Sequence, residues 1–124
     1  MNLLIDTHVL IWAVADQGRL SQTARAALAD PDSRLHVSAV TAWEFADLTV
    51  RGRLQRTVGF DVLEDRLGLV VLDLPAGLWR IAEALPPIHG DPVDRMLIAH
   101  ARQSGFTLLT ADRMIPRYPV ETLW

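Results

Sequence analysis

The sequence contains no cysteine and no lysine. The first absence excludes disulfides, zinc–thiolate sites and a thiol nucleophile. The second excludes a P-loop lysine and Schiff-base chemistry, because all twelve basic residues are arginine. No apolar run approaches the roughly eighteen residues of a transmembrane helix, so no membrane association is expected. The N-terminus lacks a basic region and a cleavage site, and its first apolar run stops at Asp6. No signal peptide is therefore expected, and the expected location is cytoplasmic. No repeat, linker or low-complexity segment divides the 124 residues, which read as a single domain over 1–124. With 50% hydrophobic residues the chain can bury a core, and a domain of this size removes roughly two thirds of its unfolded surface from water. The net charge of -3 argues against nonspecific coating of nucleic acid, which depends on neutralising phosphates. Local contact through arginines or bridging metal ions stays open. The one basic cluster, Arg51, Arg53 and Arg56, reads equally well as a solvated helix end.

What is present is organised around Leu3-Leu4-Ile5-Asp6-Thr7. An unbroken apolar run ending in a carboxylate reads as a strand buried on both faces, as in a parallel sheet. An amphipathic run from His8 to Ala15 follows, then a helix capped by Ser21 that runs through Ala29. Leu35-His36-Val37 is a second strand. Ser38 caps a third helix to about Val50, with Gly52 as its stop. Thr57 is expected to cap a fourth helix that ends near Gly68, and Leu69 to Leu72 is a third strand. Pro75 fits the first turn of a fifth helix that ends near Leu85. Asp91-Pro92 is a helix-start signature, with Asp91 at the N-cap and Asp94 one turn in. That sixth helix ends at Gly105. Thr107 to Thr110 forms a fourth strand, and Val120 to Leu123 a short last one. Strands joined by helical crossovers predict an α/β fold: a central, mostly parallel sheet of four to five strands with helices on both faces.

Five acids stand at informative places. Asp6 and Asp112 follow strand ends, Glu44 and Asp94 lie on helices, and Asp91 accompanies Asp94. Each has a purely structural reading: Asp6 and Asp91 as caps, Glu44 as a surface residue, Asp112 as a turn residue, and Asp94 as a partner of the helix dipole. If the strands are parallel, however, these acids open on one sheet edge, where α/β proteins bind ligands. Converging carboxylates repel one another unless a cation is present. Oxygen ligands without thiolate suit Mg²⁺ or Mn²⁺, which can activate water and clamp phosphoryl oxygens. His36 reads as structural and His100 as core or surface. His8 and His89 lie nearer the proposed site, where histidine could serve in acid–base chemistry that does not require it.

Taken in order, these motifs resemble the PIN-domain family, and more narrowly its VapC-type toxins. The resemblance rests on Leu4-Ile5-Asp6-Thr7, Ser38-x-x-Thr41-x-Trp43-Glu44, His89-x-Asp91-Pro92-x-Asp94-Arg95-x-Leu97-Ile98-Ala99 and Leu109-Thr110-x-Asp112. It covers essentially the whole chain. It implies a Rossmann-like three-layer sandwich and a Mg²⁺- or Mn²⁺-dependent endoribonuclease that cuts RNA. It also implies a homodimer silenced by a VapB-like antitoxin. The family's acidic quartet maps onto Asp6, Glu44, Asp94 and Asp112 as the metal site, with Asp6 and Asp94 holding the metal most directly and Glu44 and Asp112 completing the site or orienting water. Thr7, Ser38 and Thr110 are hydroxyls that could bond a carboxylate or phosphate. Asp91 could shape the site as a cap, and Arg95 could touch RNA or pair with an acid. An apolar groove formed by the second to fourth helices would suit an amphipathic antitoxin helix. The alternative is a PIN-like module that binds RNA or protein without cutting. A phospho-receiver domain is disfavoured by the missing lysine.

Overall fold

The computed structural model describes residues 1–54 and 58–124. The strands are β1 (Asn2–Ile5), β2 (Arg34–Ser38), β3 (Val70–Leu72), β4 (Thr107–Leu109) and β5 (Thr122–Leu123). The helices are α1 (Thr7–Ala15), α2 (Gln22–Ala29), α3 (Ala39–Val50), α4 (Phe60–Leu67), α5 (Leu78–Ala84) and α6 (Pro92–Ser104). The sheet runs β3-β2-β1-β4-β5, and every pairing is parallel. The sheet grows outward from β1 in one direction through β2 and β3, and in the other through β4 and β5. The carboxyl ends of β1 and β4 therefore flank a topological switch point, where open α/β sheets form a crevice.

The apolar run of β1 shows why this sheet has helices on both sides. Leu3 and Ile5 point into one core with Val9 and Leu10 of α1, Ala24 of α2 and Leu63 of α4. Leu4, between them, points into a second core with Leu78 of α5 and Leu97 and Ile98 of α6. Leu109 and Leu108 of β4 divide in the same way. A strand buried on both faces needs no polar alternation. Each such fully buried side chain contributes about 1.5–3 kcal/mol relative to exposure. α3 serves both layers: Phe45 joins the first core, Val40 packs against the second, and the helix touches α1 and α6.

Local capping physics sets most helix boundaries. Asp6, Ser21, Ser38 and Asp91 each accept a backbone N–H from the first turn of the following helix. Gly105 closes α6 at φ 69°, in left-handed backbone that a Cβ would strain. The last strand is shorter than the reading of the sequence, Thr122–Leu123 against Val120–Leu123, and two helix starts need comment. Pro75 does not open α5: its carbonyl accepts from Leu78 N at 3.1 Å, so it begins a turn that places the helix start at Leu78. α4 starts at Phe60, after Gly59, and the expected cap Thr57 lies outside the described residues. No helix among the described residues is long and apolar enough to cross a membrane.

Candidate active site

The switch point carries a pocket of about 200 Å³ lined by Asp6, His8, Trp12, Asp94, Ala111 and Asp112. A larger hollow of about 580 Å³ lies beside Leu28, Arg34 and Val70. It sits at the amino edge of β2 and β3 and gathers no group of acids.

Asp6 follows the last residue of β1. It is buried (3% exposed) and caps α1, with Oδ1 accepting from His8 N at 3.3 Å. Its other oxygen, Oδ2, accepts from Thr110 Oγ1 at 2.7 Å. The same threonine hydroxyl accepts from Asp112 N at 3.1 Å. Thr110 thus holds both strand-end acids in place. Thr110→Val keeps the shape and removes the donor, leaving Asp6 Oδ2 unmatched. The expected cost is about 1–3 kcal/mol in chemical denaturation, and an unchanged midpoint would refute the assignment.

α6 delivers Asp94 from the opposite wall. Burial first, and then the charges of Asp6 and Asp91, push its pKa from 3.8 up to about 7, with Asp112 adding to the rise and His89 opposing it. This carboxyl thus sits in a dry place already crowded with negative charge. His89 Nε2 lies 3.1 Å from Asp94 Oδ2 and 2.7 Å from Asp112 Oδ2. Ligand atoms of these three residues fall within 4.8 Å of one another. Burial works against the His89 imidazolium, but the bond to Asp112 and the charges of Asp94, Asp112 and Asp91 outweigh it and raise its pKa. Burial also pushes the Asp112 carboxyl up. The His89 bond and the amides of Met114 and Ile115 more than reverse this, leaving it below the usual carboxylate range. At the mouth, His8 is exposed, and the Asp6 carboxylate beside it raises its pKa.

Residues 3–121 match the PIN domain. The chain belongs to the PIN-domain family. It is 33% identical over 117 residues to ribonuclease VapC22 of Mycobacterium tuberculosis, covering 92% of this chain and 89% of that protein. That places it with the VapC-type members. Among solved structures it is similar to VapBC2 of Rickettsia felis bound to a promoter DNA fragment, with TM-score 0.70 and 14% identity over 99% of this chain and 98% of the other. It is also similar to the sarcin–ricin-loop-cleaving toxin VapC20 of Mycobacterium tuberculosis, with TM-score 0.67 and 20% identity over 93% of each chain. At these identities the structural likeness speaks for the fold.

Within this PIN domain the four acids of the motifs are not equivalent. Asp6, Asp94 and Asp112 line one pocket. Glu44 stands apart on α3, half-buried, yet near enough for its charge to act on His8. Asp91 caps α6, accepting from Val93 N at 2.9 Å. Ser38 is turned inward: besides capping α3, its hydroxyl meets His100 Nδ1 at 3.0 Å, tying α3 to α6. Burial lowers the pKa of that histidine. Thr7 and Thr41 bury hydroxyls that have no hydrogen-bond partner among the described residues.

The Arg95 guanidinium faces away from the acids. Nη1 donates to Pro86 O at 2.9 Å and to Tyr118 Oη at 3.3 Å. Nη2 donates to Ala82 O at 2.8 Å and to Leu85 O at 3.2 Å. The side chain fastens the end of α5 and forms no ion pair among the described residues. In the basic cluster, Arg51 pairs with Asp47 of its own helix at 3.1 Å, and Arg56 lies outside the described residues. Two contributors, Tyr118 and Trp12, escaped the motifs. Tyr118 Oη accepts from His89 N at 2.6 Å and from Ile88 N at 3.2 Å, holding the loop before α6. Trp12 walls the pocket, backed by Trp124 at 5.9 Å between ring centroids and covered by Arg19 at 4.9 Å. His89 bridges two acids. The sequence sets His89 at the head of the Asp91-Pro92 motif and near the site, but cannot show that it touches both acids.

Proposed function

We propose that residues 1–124 form one PIN domain that acts as a VapC-type toxin, a divalent-metal-dependent endoribonuclease. The observation that carries this reading is the set of three carboxylates in one pocket, one of them driven to about 7 by burial and by its acidic neighbours. Such a site gathers more negative charge than it can neutralise, and its donors are hard oxygens without a thiolate. That combination fits Mg²⁺ or Mn²⁺. Asp6, Asp94 and Asp112 would hold the ion, which when bound polarises phosphoryl oxygens and lowers the pKa of water.

The chain's own residues do the rest. Thr110 keeps Asp6 and Asp112 in register. Glu44, whose charge reaches His8, would orient the attacking water and take its proton. As water adds to phosphorus, the bond to the leaving ribose oxygen breaks and that oxygen takes a proton from solvent. The pocket is small and open at His8, which suits an extended single strand of RNA. With no lysine, affinity rests on arginines, the metal and a groove across a homodimer. The VapBC assemblies among the similar structures support a VapB-like antitoxin as partner. The exposed apolar residues Trp43 and Val50 on α3 and Val62 on α4 offer a place for its apolar helix face.

The test is incubation of purified, partner-free protein with total RNA in Mg²⁺, in Mn²⁺ and in EDTA, beside Asp94→Asn. Discrete fragments that need the metal and vanish in the variant are expected. RNA bound but uncut in every arm, or cutting that survives EDTA, would overturn the reading. Growth arrest on expression, relieved by the cognate antitoxin, is the corresponding result in cells.

A further inference from the structure

His89, Asp94 and Asp112 have the composition and spacing of a three-ligand metal site. The hydrogen bonds around His89 argue against taking it as a ligand. Its Nδ1 accepts the backbone N–H of Asp91 at 3.1 Å. A neutral imidazole carries one proton, and a ring nitrogen that accepts an N–H cannot hold it. The network therefore assigns the proton to Nε2, and that N–H points at Asp112 Oδ2 at 2.7 Å and Asp94 Oδ2 at 3.1 Å. Only the tautomer with its proton on Nδ1 would free Nε2 for a metal, and that tautomer sets N–H against N–H at Asp91. The backbone on either side of the ring is held, by His89 N on Tyr118 Oη at 2.6 Å and by Asp91 as the cap of α6.

We infer that His89 competes with the metal, its Nε2–H occupying oxygens of Asp94 and Asp112 that would otherwise be open to a cation. This rests on the metal-dependent reading of the site. For Asp94 and Asp112 to hold a cation through these oxygens, the imidazole N–H would have to give them up. His89 thus lowers metal affinity. Bonds from an N–H to a charged acceptor are among the stronger ones in proteins, so removing the competitor should tighten binding by about tenfold.

The test is calorimetric titration of Mn²⁺ into the purified protein, into His89→Ala, into His89→Gln and into Asp94→Asn, with a thermal melt of each. Wild type is expected to bind, and Asp94→Asn to lose binding. His89→Ala should bind about tenfold more tightly, and His89→Gln, whose amide can still donate, should stay near wild type. If His89→Ala melts normally and binds Mn²⁺ more weakly, His89 is a ligand and the inference falls while the metal site stands. If wild type binds no Mn²⁺, or Asp94→Asn binds as well as wild type, the metal reading fails and takes the inference with it. A second measurement needs no variant. The ¹⁵N signals of the His89 ring should show a protonated Nε2 before Mg²⁺ is added and still after it. Loss of that proton on adding Mg²⁺ would overturn the inference even if His89→Ala does not fold.

Discussion

Asp94→Asn is expected to lower metal-dependent RNA cleavage by at least about a hundredfold, because it removes a charged oxygen ligand, and yet to raise the melting temperature of the metal-free protein above neutral pH. The stability gain follows from the pKa of Asp94, which rises from 3.8 to about 7 on folding. Between those values the folded protein holds a proton that the unfolded chain has released. Stability therefore falls as pH rises through this window. Below about pH 4 both states are protonated and the penalty is absent; above about pH 7 it is complete. Its ceiling is about 4 kcal/mol, and the side chain is only 16% exposed, so solvent removes little of it. Asparagine keeps the shape and an acceptor for His89 while shedding the charge. A gain of about 2 kcal/mol at pH 8, or roughly 5–10 °C for a domain of this size, is expected, fading towards pH 5. Mg²⁺ at pH 8 should stabilise wild type and leave the variant nearly unmoved. Melts at pH 5 and pH 8, with and without Mg²⁺, check this. A variant less stable than wild type at pH 8 would show that Asp94 is not held at the expense of the fold.

Arg95→Ala should destabilise the domain by about 2–4 kcal/mol, the cost of stripping charge-assisted bonds from several half-buried acceptors at once. The carbonyls of Ala82, Leu85 and Pro86 meet this one guanidinium where α5 ends and the Pro86-Pro87 turn begins. Helix ends leave carbonyls without partners, and here a side chain from the next helix supplies donors to them. Lys, with a single ammonium in place of a planar fork, should recover less than half of the loss. Urea denaturation of the three proteins measures this. If Arg95→Ala keeps full stability and instead weakens RNA binding, the residue faces substrate and not α5.

Arg95 also shows where reading the chain stops. Its place beside Asp94 in the Asp91-Pro92-x-Asp94-Arg95 motif suggested RNA or an acid as its partner. Successive helical positions face different directions, however, so neighbours in sequence part company in space. Asp94 turns to the pocket and Arg95 to α5. Glu44 illustrates the same limit. Its motif marked it as a site residue; it lies outside the group of His89, Asp94 and Asp112, as Asp6 does, and only the tertiary structure shows that its charge reaches His8. Pro75 misled for a local reason: proline suits both the first turn of a helix and the start of the turn before it.

From the sequence alone came the parallel α/β layers, the edge on which the acids open, and the caps at Asp6, Ser21, Ser38 and Asp91. These are consequences of short-range physics. An unalternating apolar strand has to be covered on both faces, and a capping side chain reaches an amide two or three residues away. Only the tertiary structure decided that Thr110 joins Asp6 to Asp112 across 104 positions, that His89 sits between two carboxylates, and that Arg95 serves α5. Such bonds depend on ångström distances between elements remote in the chain. Those distances are set by how β1, β4 and α6 pack together, and no periodicity or spacing along the sequence encodes them.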